Sequence, residues 1–257
     1  MAAVDVHHVL SGPESAPVVV LSNSLGSTHA MWDAQADALA EHFRVVRYDT
    51  RGHGRSPVPD GPATIDDLAD DLTALLDRLD VARAHLVGLS LGGMTAMRVA
   101  ARTPDRVDRM VVLCTSAHLS PASSWTDRAA TVRAGGAAAV AEAVVQRWYT
   151  PGFLESHPAE RGAAEQMVAA TPAEGYAACC EAIAGMDLRP DLPRIQAPTL
   201  AIAGADDPAT PPPHLTEIAE TVPHGRLLVV PDAAHLANAQ QPGTITPAVI
   251  DHLREQQ

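Results

Sequence analysis

Short apolar runs alternate along the chain with stretches whose apolar residues return every three or four positions. The runs Pro17–Ser22, Arg44–Tyr48, Ala84–Leu89, Met110–Cys114, Thr199–Ala203 and Arg226–Val230 predict strands. Most are continuous in Val, Leu and Ala rather than alternating, the pattern of strands buried on both faces of a parallel sheet. Between them, Ile65, Leu68, Leu72, Leu75, Leu76 and Leu79 share one helical face. Asp66, Asp67, Asp70 and Asp71 fall outside that face and in the first turns, where acids also suit the positive end of the helix dipole. Met31–His42, Leu91–Arg102, Pro213–Thr221 and Thr246–Glu255 predict further helices. This alternation points to the α/β class, with an open, doubly wound, mostly parallel sheet.

One region breaks the rhythm. From about Ser120 to Met186 the sequence is Ala-rich and helical in pattern, with breaks at Gly135-Gly136, Thr150-Pro151-Gly152 and Thr171-Pro172. Strand-like sequence resumes at Pro198-Thr199-Leu200. The interval is far longer than an ordinary crossover. It reads as a helical cap, residues 120–187, inserted into a core made of 1–119 and 188–257.

Composition narrows the function. With 46% hydrophobic and 19% charged residues in 257 positions, the chain is an ordinary globular protein. All 18 of its basic residues are arginine. The absence of lysine excludes a Schiff base, a P-loop and a kinase ATP site. A net charge of −13 with scattered arginines argues against nucleic acid as a partner. The same charge means that an anionic substrate needs a local arginine. No apolar run approaches a membrane span, and no basic segment followed by an apolar run opens the chain, so neither a membrane partner nor a signal peptide is expected. Cys114, Cys179 and Cys180 suit a reducing cytoplasm better than a disulfide framework. No His/Cys cluster has metal-ligand spacing, so neither a metal nor another cofactor is expected. The sequence leaves a homo-oligomer open.

Gly88-Leu89-Ser90-Leu91-Gly92-Gly93 follows the strand ending near Val87 and opens a helix. Gly-x-Ser-x-Gly at such a junction is the pattern of a nucleophile elbow, in which the serine sits on a sharp, strained turn and its Oγ projects into a cleft. A serine hydroxyl needs a base and an orienting acid, which follow later in the chain in this arrangement. His235, in Pro231-Asp232-Ala233-Ala234-His235, lies after the last strand and is the candidate base. Asp207, directly before Pro208 and after the strand Thr199–Ala203, is the preferred acid, with Asp206 as competitor. The loop Thr115-Ser116-Ala117-His118 after the preceding strand offers no carboxylate. Two backbone amides must hold the oxyanion. Leu91, after the nucleophile, supplies one, and Leu25, in the early loop Ser22-Asn23-Ser24-Leu25-Gly26-Ser27, is chosen for the other. The turn Asp49-Thr50-Arg51-Gly52-His53-Gly54-Arg55-Ser56 is expected to brace neighbouring loops.

With these motifs in this order, the chain resembles the α/β-hydrolases over nearly its whole length. The early loop departs from the usual His-Gly and carries Asn23-Ser24 instead. Ser22-Asn23-Ser24-Leu25-Gly26 followed by Met31-Trp32 is similar to the 3-oxoadipate enol-lactonases of bacterial aromatic degradation. So are Val132-Arg133-Ala134-Gly135-Gly136 and Arg147-Trp148-Tyr149-Thr150-Pro151. The resemblance implies an α/β-hydrolase fold and hydrolysis of a small anionic enol-lactone through an acyl-enzyme. Its carboxylate calls for a cap arginine among Arg128, Arg133, Arg147 and Arg161. Arg133, beside the Gly135-Gly136 break, is favoured, with Trp125 and Trp148 as apolar walls. A cofactor-free perhydrolase, a small-ester carboxylesterase, a C–C hydrolase and a hydrolase-fold receptor are the rivals. Ser90 in the elbow argues against an Asp-nucleophile dehalogenase.

Overall fold

The computed structural model describes residues 2–255. Seven strands form one sheet: β1 (His8–Ser11), β2 (Val18–Ser22), β3 (Arg44–Tyr48), β4 (Ala84–Leu89), β5 (Val107–Leu113), β6 (Thr199–Gly204) and β7 (Gly225–Val230). Their order is β1-β3-β2-β4-β5-β6-β7, with β1 antiparallel to β3 and the other pairings parallel. The continuous apolar runs of β4 and β6 are buried at every position, because helices cover both faces of the sheet. At the free edge, β7 leaves Leu227 and Val229 exposed.

Helices α1 (Asp33–Ala40), α2 (Ile65–Arg78) and α3 (Leu91–Arg102) follow β2, β3 and β4. Between β5 and β6 stand α4 (Ala122–Gly135), α5 (Ala138–Trp148), α6 (Pro151–Ser156), α7 (Pro158–Ala169) and α8 (Ala173–Ala184). The chain closes with α9 (Pro212–Thr221), α10 (Ala237–Gln240) and α11 (Pro242–Arg254). Among the described residues no helix is long and apolar enough to cross a membrane.

Several local expectations change. β1 is short, half-exposed and lacks an apolar run, so periodicity does not mark it. β5 begins three residues before Met110, because Asp108 and Arg109 mask its start; their charges meet Arg83 (3.2 Å) and Glu255 (3.6 Å). It also ends before Cys114, whose φ of 43° leaves the extended region. The expected Met31–His42 helix divides into a 3₁₀ turn, His29–Trp32, capped by Thr28, and α1. The last helix starts at Pro242 rather than Thr246 and continues through Pro247.

On α2, Thr64 and Asp67 form a reciprocal capping box. Asp67 and Asp71 lie buried rather than outside, because Arg51 reaches them from the turn after β3: its Nε donates to Asp71 Oδ2 at 2.5 Å and its Nη1 lies 4.0 Å from Asp67 Oδ1. A buried charge needs such a partner.

Candidate active site

The sharp turn between β4 and α3 fixes Ser90 at φ 56° and ψ −117°. A non-glycine residue is held there only when its surroundings over-determine it. The neighbouring glycines do so. A Cβ on Gly88 would stand 2.2 Å from the Gly92 carbonyl oxygen, and one on Gly92 would stand 2.1 Å from that of Ser22. Strand and helix can therefore pass closely only without side chains at these two positions. Ser90 N donates to the Leu113 carbonyl (2.9 Å), and Thr115 Oγ1 donates to the Ser90 carbonyl (2.7 Å).

Two loops at the carboxyl ends of β6 and β7 bring Asp207 and His235 together. His235 Nδ1 donates to Asp207 Oδ2 at 2.8 Å, although the residues lie 28 apart in sequence. Thr210 Oγ1 donates to the same oxygen at 2.7 Å, and the Ala209 and Thr210 amides donate to Asp207 Oδ1 at 2.8 and 3.1 Å. Burial works against ionising Asp207, but His235 and these donors outweigh it and hold the carboxyl down at about 2. Asp206 faces solvent, and its amide bonds the Ala233 carbonyl instead. Ser90 and His235 line one cavity. With Nδ1 donating to Asp207, the other ring nitrogen is the one able to accept a proton.

The early loop brings Leu25 to the wall of that cavity. Ser24 N donates to Met31 Sδ (3.2 Å) and Gly26 N to His53 Nε2 (3.0 Å), while Leu25 N, between them, makes no hydrogen bond among the described residues. Leu91 opens α3, where an amide has no carbonyl one turn back. His53 can accept from Gly26 because burial pushes its imidazole below the ordinary value and its Nδ1 donates to the Arg51 carbonyl (3.1 Å). Asn23 anchors the loop further, donating to the Tyr48 carbonyl (2.6 Å) and accepting from Trp32 Nε1 (3.0 Å). The Asp49–Ser56 turn thus braces the loop that carries Leu25.

Helices α4, α5 and α8 supply the opposite wall. Trp125, Arg128, Arg147, Trp148 and Tyr176 line the cavity with Ser90 and His235. Arg128 Cζ stands 4.5 Å over the Trp125 ring. Neither Arg128 nor Arg147 has a carboxylate partner among the described residues, and burial together with the Arg128 charge pulls the Arg147 guanidinium below its ordinary value. Arg133 does not join them. It is exposed, and its guanidinium is taken by Glu174 (3.0 Å) and Glu181 (2.5 Å). Helical phase turns Arg133 away from the expected position: Trp125 and Arg128, three apart, share a face, whereas Arg133 lies about 140° around from Arg128. Arg161 likewise faces outward, bonded to Glu165 (2.8 Å) and Glu142 (3.4 Å). Neither Tyr176 nor Thr210 carries a motif in the sequence, and only the folding of α8 and the β6 loop brings them in.

The cavity holds about 190 Å³. That is below the roughly 300–1,000 Å³ of pockets for drug-sized ligands, so it suits a compact molecule and not a long acyl chain. The tie to α5 is direct: Leu236 N donates to the Trp148 carbonyl at 2.8 Å, and Gln240 Nε2 to Thr150 Oγ1 at 2.6 Å.

Residues 17–242 match the family described as alpha/beta hydrolase fold. The 3-oxoadipate enol-lactonase 2 of Acinetobacter baylyi is 39% identical over 246 residues, covering 96% of this chain and 92% of that protein. The solved enol-lactonase of Burkholderia xenovorans LB400 superposes with a TM-score of 0.96 at 41% identity, over 99% of each chain. A thermophilic esterase from Thermogutta terrifontis, solved with malate bound, has a TM-score of 0.92 at 31% identity, over 98% of this chain and 93% of that one.

Proposed function

The chain belongs to the alpha/beta hydrolase fold family, and from that premise we propose that it opens 3-oxoadipate enol-lactone to 3-oxoadipate through an acyl-serine. The observation that carries this reading is the pair of half-buried guanidiniums, Arg128 and Arg147, without carboxylate partners in the cavity that holds Ser90 and His235. In a chain of net charge −13, two such cations call for an anionic substrate. They replace Arg133 as the carboxylate partners. Malate, held by the Thermogutta terrifontis esterase, is itself a small dicarboxylate. The identity to enol-lactonases of two genera supports the lactone.

The chemistry uses the chain's own groups. Ser90 Oγ attacks the lactone carbonyl while His235 takes its proton, and Asp207 steadies the imidazolium that forms. The Leu25 and Leu91 amides hold the tetrahedral oxyanion, a contribution of about 3 kcal/mol per donor in comparable sites. Collapse breaks the ring C–O bond, and His235 returns its proton to the departing enol oxygen. Because the ester is cyclic, the enol stays on the acyl group bound to Ser90, and its tautomerisation to a ketone removes the nucleophile for ring closure. Water, deprotonated by His235, then releases 3-oxoadipate. The five helices α4–α8 act as a cap over this cavity. Three buried, unbridged cysteines suit a reducing compartment, so we assign the enzyme to the cytoplasm.

The test is direct: supply the enol-lactone, follow loss of its ultraviolet absorbance, and run a neutral ester of similar size beside it. Fast turnover of the lactone with slow turnover of the ester is expected. Equal turnover of both, or none of the lactone, overturns the assignment.

A further inference from the structure

Tyr176 stands where a hydroxyl group is costly. It is 0% exposed, its ring is stacked on His53 with centroids 6.4 Å apart, and its Cε2 edge would lie 2.8 Å from a Cβ on Gly26. The ring is thereby wedged between α8 and the loop that carries Leu25. Yet Tyr176 Oη is buried with no partner in hydrogen-bonding geometry among the described residues, the Arg128 guanidinium being the donor group that acts on it. Leaving a buried hydroxyl unsatisfied is destabilising, and phenylalanine would fill the same space without that cost. His7, Ser11, Arg47, Arg51, His85 and Asn238 also bury an unpaired atom, but none of them lines the cavity with Ser90. Burial pushes the Tyr176 phenol up to about 12, against the opposing pull of Arg128, so the group keeps its proton at neutral pH and can donate it.

We propose that Tyr176 is a substrate-binding residue, its Oη donating a hydrogen bond to a carboxylate oxygen of the substrate whose charge Arg128 meets. This rests on the anionic-substrate reading above and adds a neutral, directional donor to it. A guanidinium supplies charge but tolerates many orientations of its partner. A phenol held on a wedged ring supplies one direction, and so fixes which end of a small asymmetric molecule faces α4 and which faces Ser90. The subsite therefore takes a carboxylate-bearing molecule and disfavours its methyl ester, which lacks the anionic oxygen.

Tyr176→Phe tests the proposal, because the substitution keeps the ring and removes only the unpaired group. The melting temperature is expected to stay level or rise. KM for the enol-lactone acid is expected to rise about tenfold or more with kcat little changed, and KM for its methyl ester to move less than twofold. A lower melting temperature with equal losses on both substrates would make Tyr176 merely structural and overturn the proposal, as would unchanged KM for both. A second measurement separates this from the assigned reaction: calorimetric binding of adipate to Ser90→Ala, with and without Tyr176→Phe. A tenfold weaker affinity in the double variant supports the subsite even if the lactone is not turned over. Unchanged affinity, or no adipate binding to Ser90→Ala, removes the subsite even if the lactone proves to be the substrate.

Discussion

The turn at Ser90 and the helices facing it hold their side chains by different means. At the turn the backbone itself is immobilised: neighbouring carbonyls exclude any Cβ at Gly88 and Gly92, and Ser90 is left at a φ that only such crowding sustains. On α4 and α5 nothing comparable constrains the chain. Trp125 and Arg128 are only half-buried, and they reach the cavity because of where the helix turns place them. On the proposed mechanism, one region specifies the reacting atoms by steric necessity and the other specifies the ligand by helical phase. Substitutions in the first should therefore remove chemistry whatever the substrate, and those in the second should discriminate among substrates.

The largest effect follows from the first half of that contrast. Ser90→Ala should lower kcat by on the order of 10⁶ for lactone and neutral ester alike, with an unchanged melting profile. A surviving rate within a hundredfold of the parent would break the contrast, since the reacting group would then lie elsewhere. Asp207→Asn should cost on the order of 10⁴ in kcat, again on both substrates, because the imidazole loses the partner that fixes its tautomer. Asp206→Asn should change kcat less than twofold, its side chain being in solvent. A reversal between these two aspartates would contradict the 2.8 Å bond from His235.

The cap wall should behave otherwise. Arg128→Met and Arg147→Met are each expected to raise KM for the anionic lactone about 10- to 100-fold and to leave a neutral ester within about twofold, the signature of lost carboxylate binding. Arg133→Met should leave KM for both unchanged. Measured side by side on the two substrates, these variants sharpen the contrast: equal losses on acid and ester would mean that the guanidiniums hold the wall together rather than the ligand.

The same division separates what the sequence makes legible from what it hides. Gly-Leu-Ser-Leu-Gly-Gly after an apolar strand announces the elbow, because the steric demand that fixes Ser90 is a demand on residue type. Asp207 and His235 are legible for a related reason: each follows a strand whose apolar run is easily seen, and the carboxyl end of such a strand is where this architecture places side chains. Arg133 misled because it sits beside Gly135-Gly136, a break that looks like a loop. The observed helix runs on to Gly135, so its phase continues and turns Arg133 outward toward Glu174 and Glu181. The three-residue spacing of Trp125 and Arg128 held the better signal. Tyr176 has no local signal at all, since its place beside the Leu25 loop depends on α8 packing against Gly26 and His53, more than a hundred residues away.

The smallest effect concerns stability rather than rate, and it compares one ion pair from each region. Asp207 is buried and held ionised down to about 2, below the roughly 3.9 of an unfolded aspartate. A depressed carboxyl stabilises the fold above its unfolded value and loses that contribution as the pH falls from about 4 toward 2. The full shift corresponds to about 2 to 3 kcal/mol, most of it lost by pH 2. Arg133 and Glu174 are exposed and Glu181 is half-buried, so solvent screens the group and its contribution at neutral pH should stay within about 1 kcal/mol. Denaturant unfolding of the parent and of Asp207→Asn should therefore differ by a constant amount above pH 5, and the gap should close by about 2 kcal/mol on acidification to pH 2. The gap between the parent and Arg133→Met should be small at neutral pH and shrink further in 0.5 M salt. A gap for Asp207→Asn that ignores acid would mean that His235 and Thr210 do not hold the carboxylate ionised, and the contrast between a fixed reacting centre and a screened outer face would lose its electrostatic half.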